Sequence, residues 1–184
     1  MITELSEDKD LIAHFRVEQT RSMAFALILK KYQKKIYWHV RRIVIDHDDA
    51  DDVVQNTFIK VWENLKGFRE DSKLYTWLFR VATNEALLFL SKKRANYKVQ
   101  LDDVDFELAE TLVASNYFDG NAAELKLQTA ILTLPEKQRL VFNMKYYEAL
   151  KYEEIEEILG TSVGALKASY HHAVKKIQEY LKKD

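Results

Sequence analysis

The acids of "HDDADDVVQ" come closest to a catalytic spacing. Asp48, Asp49, Asp51 and Asp52 satisfy the pattern DDxxD. On a helix, residues four apart share a face, and hard carboxylate oxygens there could hold Mg²⁺ against a diphosphate. The chemistry would be prenyl transfer. No second acidic metal motif stands in a helical setting, and 184 residues is short for that reaction. A simpler reading is a capped helix start with solvated carboxylates suited to the positive end of the dipole. An EF-hand fails because no glycine sits where its loop must turn. His171 and His172 are adjacent, so they face different directions on a helix and make no joint metal site. No Ser/His/Asp order, P-loop or glycosidase carboxylate pair stands out.

Two further constellations suit nucleic acid better than catalysis. "LGTSVGALKAS" places Gly160, Thr161, Ser162, Gly164, Ala165 and Ala168 around one cation, Lys167. A recognition helix needs a short turn before it and small residues at its start to approach base edges. A lysine there can meet a phosphate or a guanine edge. Ordinary packing of two helices gives the same pattern. "FREDSKLYTWLFRVATNEALLFLSKKR" interleaves Phe68, Tyr75, Trp77 and Phe79 with Arg69, Lys73, Arg80, Lys92, Lys93 and Arg94. Aromatics beside a cationic track hold single strands, and a base taken out of the stack needs a pocket. The competing reading is that Trp77 and Phe79 are core.

The elements that position these residues are helical. With four glycines and one proline, the chain has too few turn residues for an all-β fold. In "ADDVVQNTFIKVWENL", Val53, Val54, Thr57, Phe58, Val61, Trp62 and Leu65 form an apolar stripe at helical spacing. A second helix spans about 73–93 and carries Leu74, Trp77, Leu78, Val81, Ala82, Leu87, Leu88 and Leu90. Gly67 ends the first of these helices and Ser72 caps the second. From about 98 to 123 the period decays into an acidic linker with short helical pieces. A helix over about 122–132 follows, and Pro135 opens the next from its first turn. That helix puts Leu140, Val141, Met144 and Tyr147 on one side. "YEEIEEIL" is another. Ser162 then caps a last helix whose buried stripe is Leu166, Tyr170, Ala173, Val174, Ile177 and Leu181.

Composition bounds the class. Hydrophobic residues are 47% and charged residues 31%, as in a globular chain, and the absence of cysteine excludes disulfides and thiolate metal sites. The N-terminus lacks a signal-peptide core, and no apolar run approaches the roughly 18 residues of a membrane span. A soluble, cytoplasmic protein is expected. The net charge of −1 opposes nucleic-acid binding, but the charges are segregated. Residues 30–42 hold six bases and no acid, residues 46–63 six acids and one base, and residues 101–124 seven acids and no Lys or Arg. Separate acidic and basic faces allow different partners on each.

Taken together, "DADDVVQNTFIKVWENLKGFREDSKLYTWLFRVATNEALLFLSKKR" resembles region two of bacterial sigma factors. "LPEKQRLVFNMKYYEALKYEEIEEILGTSVGALKASYHHAVKKI" resembles region four. With only a short linker between them, the arrangement is similar to the extracytoplasmic-function (ECF) sigma factors. The resemblance implies an all-α chain: a region-two-like domain over 10–96, an acidic linker over 97–121 and a region-four-like helix-turn-helix domain over 122–184. It implies a non-catalytic subunit with no cofactor or metal that opens promoter DNA. The implied partners are core RNA polymerase (β′ clamp helices and β subunit), promoter DNA and an anti-sigma factor.

Roles carry over by position. Asp51, Asp52, Gln55, Asn56 and Ile59 match the face that docks on the β′ clamp helices. Phe68, Arg69, Glu70, Asp71, Ser72 and Lys73, with Trp77, Arg80 and Asn84 behind them, match the part that melts the −10 element and captures a flipped base. Ser162, Ala165, Lys167, Ala168, Ser169 and His172 match positions that enter the major groove at the −35 element. Arg139 and Lys151 match phosphate contacts. Four positions depart from the pattern. Ser169 and His172 stand where many members carry arginine, so the promoter sequence cannot be borrowed. Glu156 replaces a small residue, and Ala149 stands where glycine is frequent; both are expected to weaken local geometry. The alternative is a stand-alone helix-turn-helix dimer, which would not need the Asp52/Gln55 face.

Overall fold

The computed structural model describes residues 6–97 and 122–182. The linker expected over 97–121 lies, apart from Tyr97, outside the described residues. Among these residues every regular element is helical: α1 (Asp8–Arg16), α2 (Arg21–Val44), α3 (His47–Asn64), α4 (Leu74–Tyr97), α5 (Ala122–Leu132), α6 (Glu136–Tyr146), α7 (Tyr152–Leu159) and α8 (Val163–Leu181), with 3₁₀ turns at Glu18–Thr20 and Leu65–Gly67. The chain divides into two compact units, residues 1–89 and 90–184.

In the first unit α2 packs on α1 and α3. Leu11, Ile12 and Phe15 of α1, Ala24, Ile28 and Ile36 of α2 and Val53 and Val61 of α3 are each at most 2% exposed. Asp8 fastens α1 to α2: its carboxylate accepts from Tyr32 Oη at 2.7 Å and from Lys31 Nζ at 2.8 Å. That anion, with burial the larger cause, pushes the Tyr32 phenol far above its ordinary range. The α2–α3 corner turns at Ile45, which is buried with φ of 69°. A β-branched residue in that region is strained, and its burial holds it there. Asp46 then caps α3 by accepting the Asp49 N–H at 3.0 Å.

The helices start and end close to the sequence reading, with differences of physical interest. The first α4 bond runs from Trp77 N–H to the Lys73 carbonyl, so Lys73, not Ser72, occupies the cap position. Pro135 stands just before α6 as its N-cap rather than within its first turn. Leu88 is 44% exposed and Trp62 39%, although both fall on apolar stripes. Trp62 lies edge-on to Phe15 and Phe25, with ring centroids 5.4 and 5.1 Å away. Those two rings come from other helices, so Trp62 covers the core edge without being enclosed.

In the second unit Ala130, Ile131, Leu134, Phe142, Ala173 and Ile177 form a core against which Tyr170, Val174 and Leu181 pack. The stripe read for the last helix is therefore the packed one. Phe142, absent from the α6 stripe, is buried as well, with its ring stacked on Tyr146 and Tyr170.

Candidate nucleic-acid interface

Helices α7 and α8 meet at Gly160, which has φ of 64° and a backbone N–H bonded to the Glu156 carbonyl at 2.8 Å. Only glycine enters that region without a Cβ penalty, so it stops α7 and lets the chain turn within three residues. Ser162 caps α8: its hydroxyl faces the Ala165 N–H at 3.5 Å and its carbonyl accepts from Leu166 N–H at 2.9 Å. Glu156 also serves this start, because its carboxylate accepts the Val163 N–H at 3.3 Å. The departure expected to weaken the turn satisfies one of the orphan donors of α8 and places a negative charge at its positive end.

The first half of α8 is amphipathic in the sense DNA reading requires. Ser162, Ala165, Lys167, Ala168 and His172 are exposed, Ser169 is half-buried, and Leu166 between them is fully buried. His171 is exposed too. Ser162, Ala165, Ala168, Ser169 and His172 follow one face at i, i+3 and i+4 spacing, and Lys167 stands at the flank of the exposed side. Tyr152, the first residue of α7, holds the cation on it. The Lys167 ammonium lies 5.7 Å from the Tyr152 ring centroid and that of Lys145 lies 4.9 Å away. A cation above an aromatic face is attracted by the ring quadrupole. Sequence reasoning missed Tyr152 because its partner is fifteen positions on, across the turn.

The two expected phosphate contacts separate. Lys151 is exposed at the start of α7, where its N–H donates to Glu154 Oε2 at 2.9 Å. Arg139 is only 4% exposed, and its guanidinium donates to the Leu132 carbonyl at 3.3 Å. It holds the α5–α6 turn from inside, which removes it from the phosphate contacts. An arginine seven residues after the last carbonyl of the preceding helix leaves no periodic trace of that task.

In the first unit the loop between α3 and α4 is tethered from a distance. Arg16 at the end of α1 donates to the Phe68 carbonyl at 2.6 Å and pairs with Glu70 at 2.8 Å. Glu70 is held at φ of 62°. No sequence signal pointed to Arg16. Phe68 and Trp77 are buried at 7% and 9% exposure, with ring centroids 5.2 Å apart, so they form the floor of this surface. Arg69, Asp71, Lys73, Arg80 and Asn84 are exposed above it and Ser72 is half-buried; Arg69 and Asp71 pair at 3.0 Å. Lys73, Trp77, Arg80 and Asn84 follow one face of α4.

A third surface lies on α3. Asp51, Asp52, Gln55, Asn56 and Ile59 are all exposed, and Ile59 is 50% so. Asp51, Gln55 and Ile59, but not Asp52 or Asn56, border an open apolar groove of about 500 Å³ between α2 and α3, floored by Phe25, Leu29, Val54, Phe58 and Trp62 and rimmed by Asp51, Gln55 and Glu63. An apolar groove with an acidic rim suits a helical, basic protein partner. Among the described residues no group of three or more His, Asp or Glu is placed to hold a metal ion, and no helix is long and apolar enough to cross a membrane.

Comparison with known proteins assigns the chain to a family. Residues 28–96 match the model of Sigma-70 region 2 and residues 124–177 that of Sigma-70 region 4. The chain is 31% identical over 189 residues to the RNA polymerase sigma-H factor of Pseudomonas aeruginosa, covering 98% of this chain and 96% of that one. It is 32% identical over 167 residues to the ECF RNA polymerase sigma factor SigW of Bacillus subtilis, covering 86% and 89%. Two solved structures share the fold. CnrH in complex with the cytosolic domain of CnrY gives a TM-score of 0.69 at 24% identity, over 96% of this chain and 98% of that one. The sigma factor RpoE of Bartonella quintana, in complex with the anti-sigma factor NepR, gives 0.68 at 22%, over 87% and 98%. With both family regions in order along an all-α chain, and relatives that match it nearly end to end, this protein belongs to the ECF family of RNA polymerase sigma factors and recognises promoters with RNA polymerase.

Proposed function

We propose that the three surfaces divide the work of initiation. The exposed α3 face and its acid-rimmed groove, through Asp51, Asp52, Gln55, Asn56 and Ile59, take the β′ clamp helices, and further contacts reach the β subunit. The loop 68–73, with Arg80 and Asn84 over the Phe68–Trp77 floor, engages the −10 element. Helix α8 reads the −35 element through Ser162, Ala165, Lys167, Ala168, Ser169 and His172, and Lys151 meets a phosphate. The protein performs no catalysis of its own and acts in the cytoplasm. An anti-sigma factor is the natural inhibitor, because a relative of the same fold, RpoE, is bound to one.

The observation that carries this reading is the two-sided α8: polar and small residues stay in water over the same turns in which Leu166, Ala173 and Ile177 are buried. Run-off transcription with purified core polymerase tests it. Lys167→Ala should lower promoter use. Gln55→Ala should weaken core binding and leave isolated −35 duplex binding intact. Loss of −35 binding in the Gln55 variant would contradict the division of labour, and promoter binding without initiation would favour a stand-alone regulator.

A further inference from the structure

Trp38 belongs to none of the three surfaces, yet 41% of it is in water. It lies on α2, and its helix neighbours one turn before and after are Lys34, Lys35, Arg41 and Arg42. Every i±3 and i±4 position around the indole is thus a cation. Lys34 and Lys35 are exposed, and the two arginines are half-buried. The indole is braced in place: the Tyr37 ring meets it in a T-shaped contact at 5.4 Å, and Tyr37 Oη is bonded to His47 Nδ1 at 2.7 Å. The Lys35 ammonium is steadied 5.6 Å from the Tyr75 ring centroid. No Asp or Glu occurs from Lys30 to Arg42.

The surroundings decide the kind of partner. Interface cores accept tryptophan and arginine but are depleted in lysine, and the two exposed cations beside Trp38 are the lysines, Lys34 and Lys35. Single-stranded nucleic acid asks for that arrangement, a rigid stacking platform within a positive track that follows the phosphates. Guanidinium and ammonium groups flanking the ring supply the phosphate partners. The positions Lys34 to Arg42 span about 12 Å of helix. We propose that Trp38, with Lys34, Lys35, Arg41 and Arg42, forms a stacking site for an unpaired base of single-stranded DNA. The site is distinct from the loop and α4 residues assigned to the −10 element, and it requires no promoter sequence.

The test uses the full chain and a fluorescein-labelled ten-nucleotide oligothymidylate, followed by anisotropy over a series of salt concentrations. Trp38→Ala should weaken binding about five-fold or more, and Trp38→Phe, which keeps a ring, should retain most of the affinity. Lys34→Ala and Arg41→Ala should each reduce the slope of log affinity against log salt by about 0.7. The same Trp38→Ala loss should appear in an Arg80→Ala background, which separates this site from the −10 surface. Circular dichroism of each variant checks that the fold is kept. Failure of the unaltered chain to bind the oligonucleotide overturns the proposal, as does equal affinity of the wild type and Trp38→Ala. It is also overturned if Trp38→Ala leaves oligonucleotide binding unchanged and weakens binding to purified core polymerase, because the occupant would then be a protein.

Discussion

Replacing His39 by glutamine should flatten the acid limb of stability in the first unit. His39 is 1% exposed and packs against the Phe79 ring at 4.6 Å. Its Nε2 lies 2.8 Å from Thr83 Oγ1, whose own proton goes to the Phe79 carbonyl at 2.7 Å. Nε2 must therefore carry the proton and donate, which makes the ring the neutral Nε2–H tautomer. Burial, with the Arg42 charge adding to it, lowers the imidazole pKa from 6.5 to about 3. As pH falls below 6.5 the unfolded chain takes up a proton here, and the folded one stays neutral until about 3. The stability linked to His39 is whole above pH 6.5 and is lost progressively as pH drops toward 3. Between pH 8 and pH 5 that loss is about 2 kcal/mol. Glutamine keeps a donor for Thr83 and does not titrate. All three tryptophans, at 38, 62 and 77, lie in the first unit, so their emission during urea unfolding follows that unit alone. Wild type should lose about 2 kcal/mol more than His39→Gln over this range. Equal losses in the two proteins would refute a neutral, buried histidine.

Three further outcomes follow from local geometry. Ala149 sits at φ of 52° in the turn before α7, so Ala149→Gly should stabilise the second unit by about 1 kcal/mol, seen as a higher Tm by calorimetry; a lower Tm would show that the left-handed backbone is not strained. Glu156→Ala removes the acceptor for the Val163 N–H and should cost about 0.5–1 kcal/mol, with Glu156→Gln costing less; equal stability of all three forms would rule out the cap. Tyr152→Leu frees the Lys167 ammonium and should weaken −35 duplex binding about two- to five-fold, while Tyr152→Phe should not. In a Lys167→Ala background the Tyr152 effect should vanish, and persistence there would detach the two residues.

How much of this was legible depends on where each residue finds its partner. The stripe of α8 was readable because Leu166, Ala173 and Ile177 pack through helical periodicity alone. The exposed α3 face was readable for the same reason, since Asp52, Gln55, Asn56 and Ile59 fall off the stripe. Where the partner lies on a distant segment, periodicity says nothing. Trp62 fits the apolar stripe, but its exposure depends on how far Phe15 and Phe25 reach. Arg139 reads as a surface cation until the carbonyl at the end of α5 claims it. Glu156 reads as a misfit until the turn brings the start of α8 within reach of its carboxylate. Ala149 shows the converse: its departure from glycine is legible, and the backbone keeps the left-handed conformation regardless.

Helix α8 runs about 28 Å over its 19 residues. The side chains that face water and those that hold the unit together occupy different sides of its first turns. Ser169 is half-buried and stands one turn from both Leu166 and Ala173, whereas His172, exposed on this helix, can be exchanged without disturbing Leu166 or Ile177. Surface exchanges of that kind usually cost within about 0.5 kcal/mol. If α8 reads the −35 element as proposed, exchanges at its outward positions change promoter preference at little cost to the scaffold.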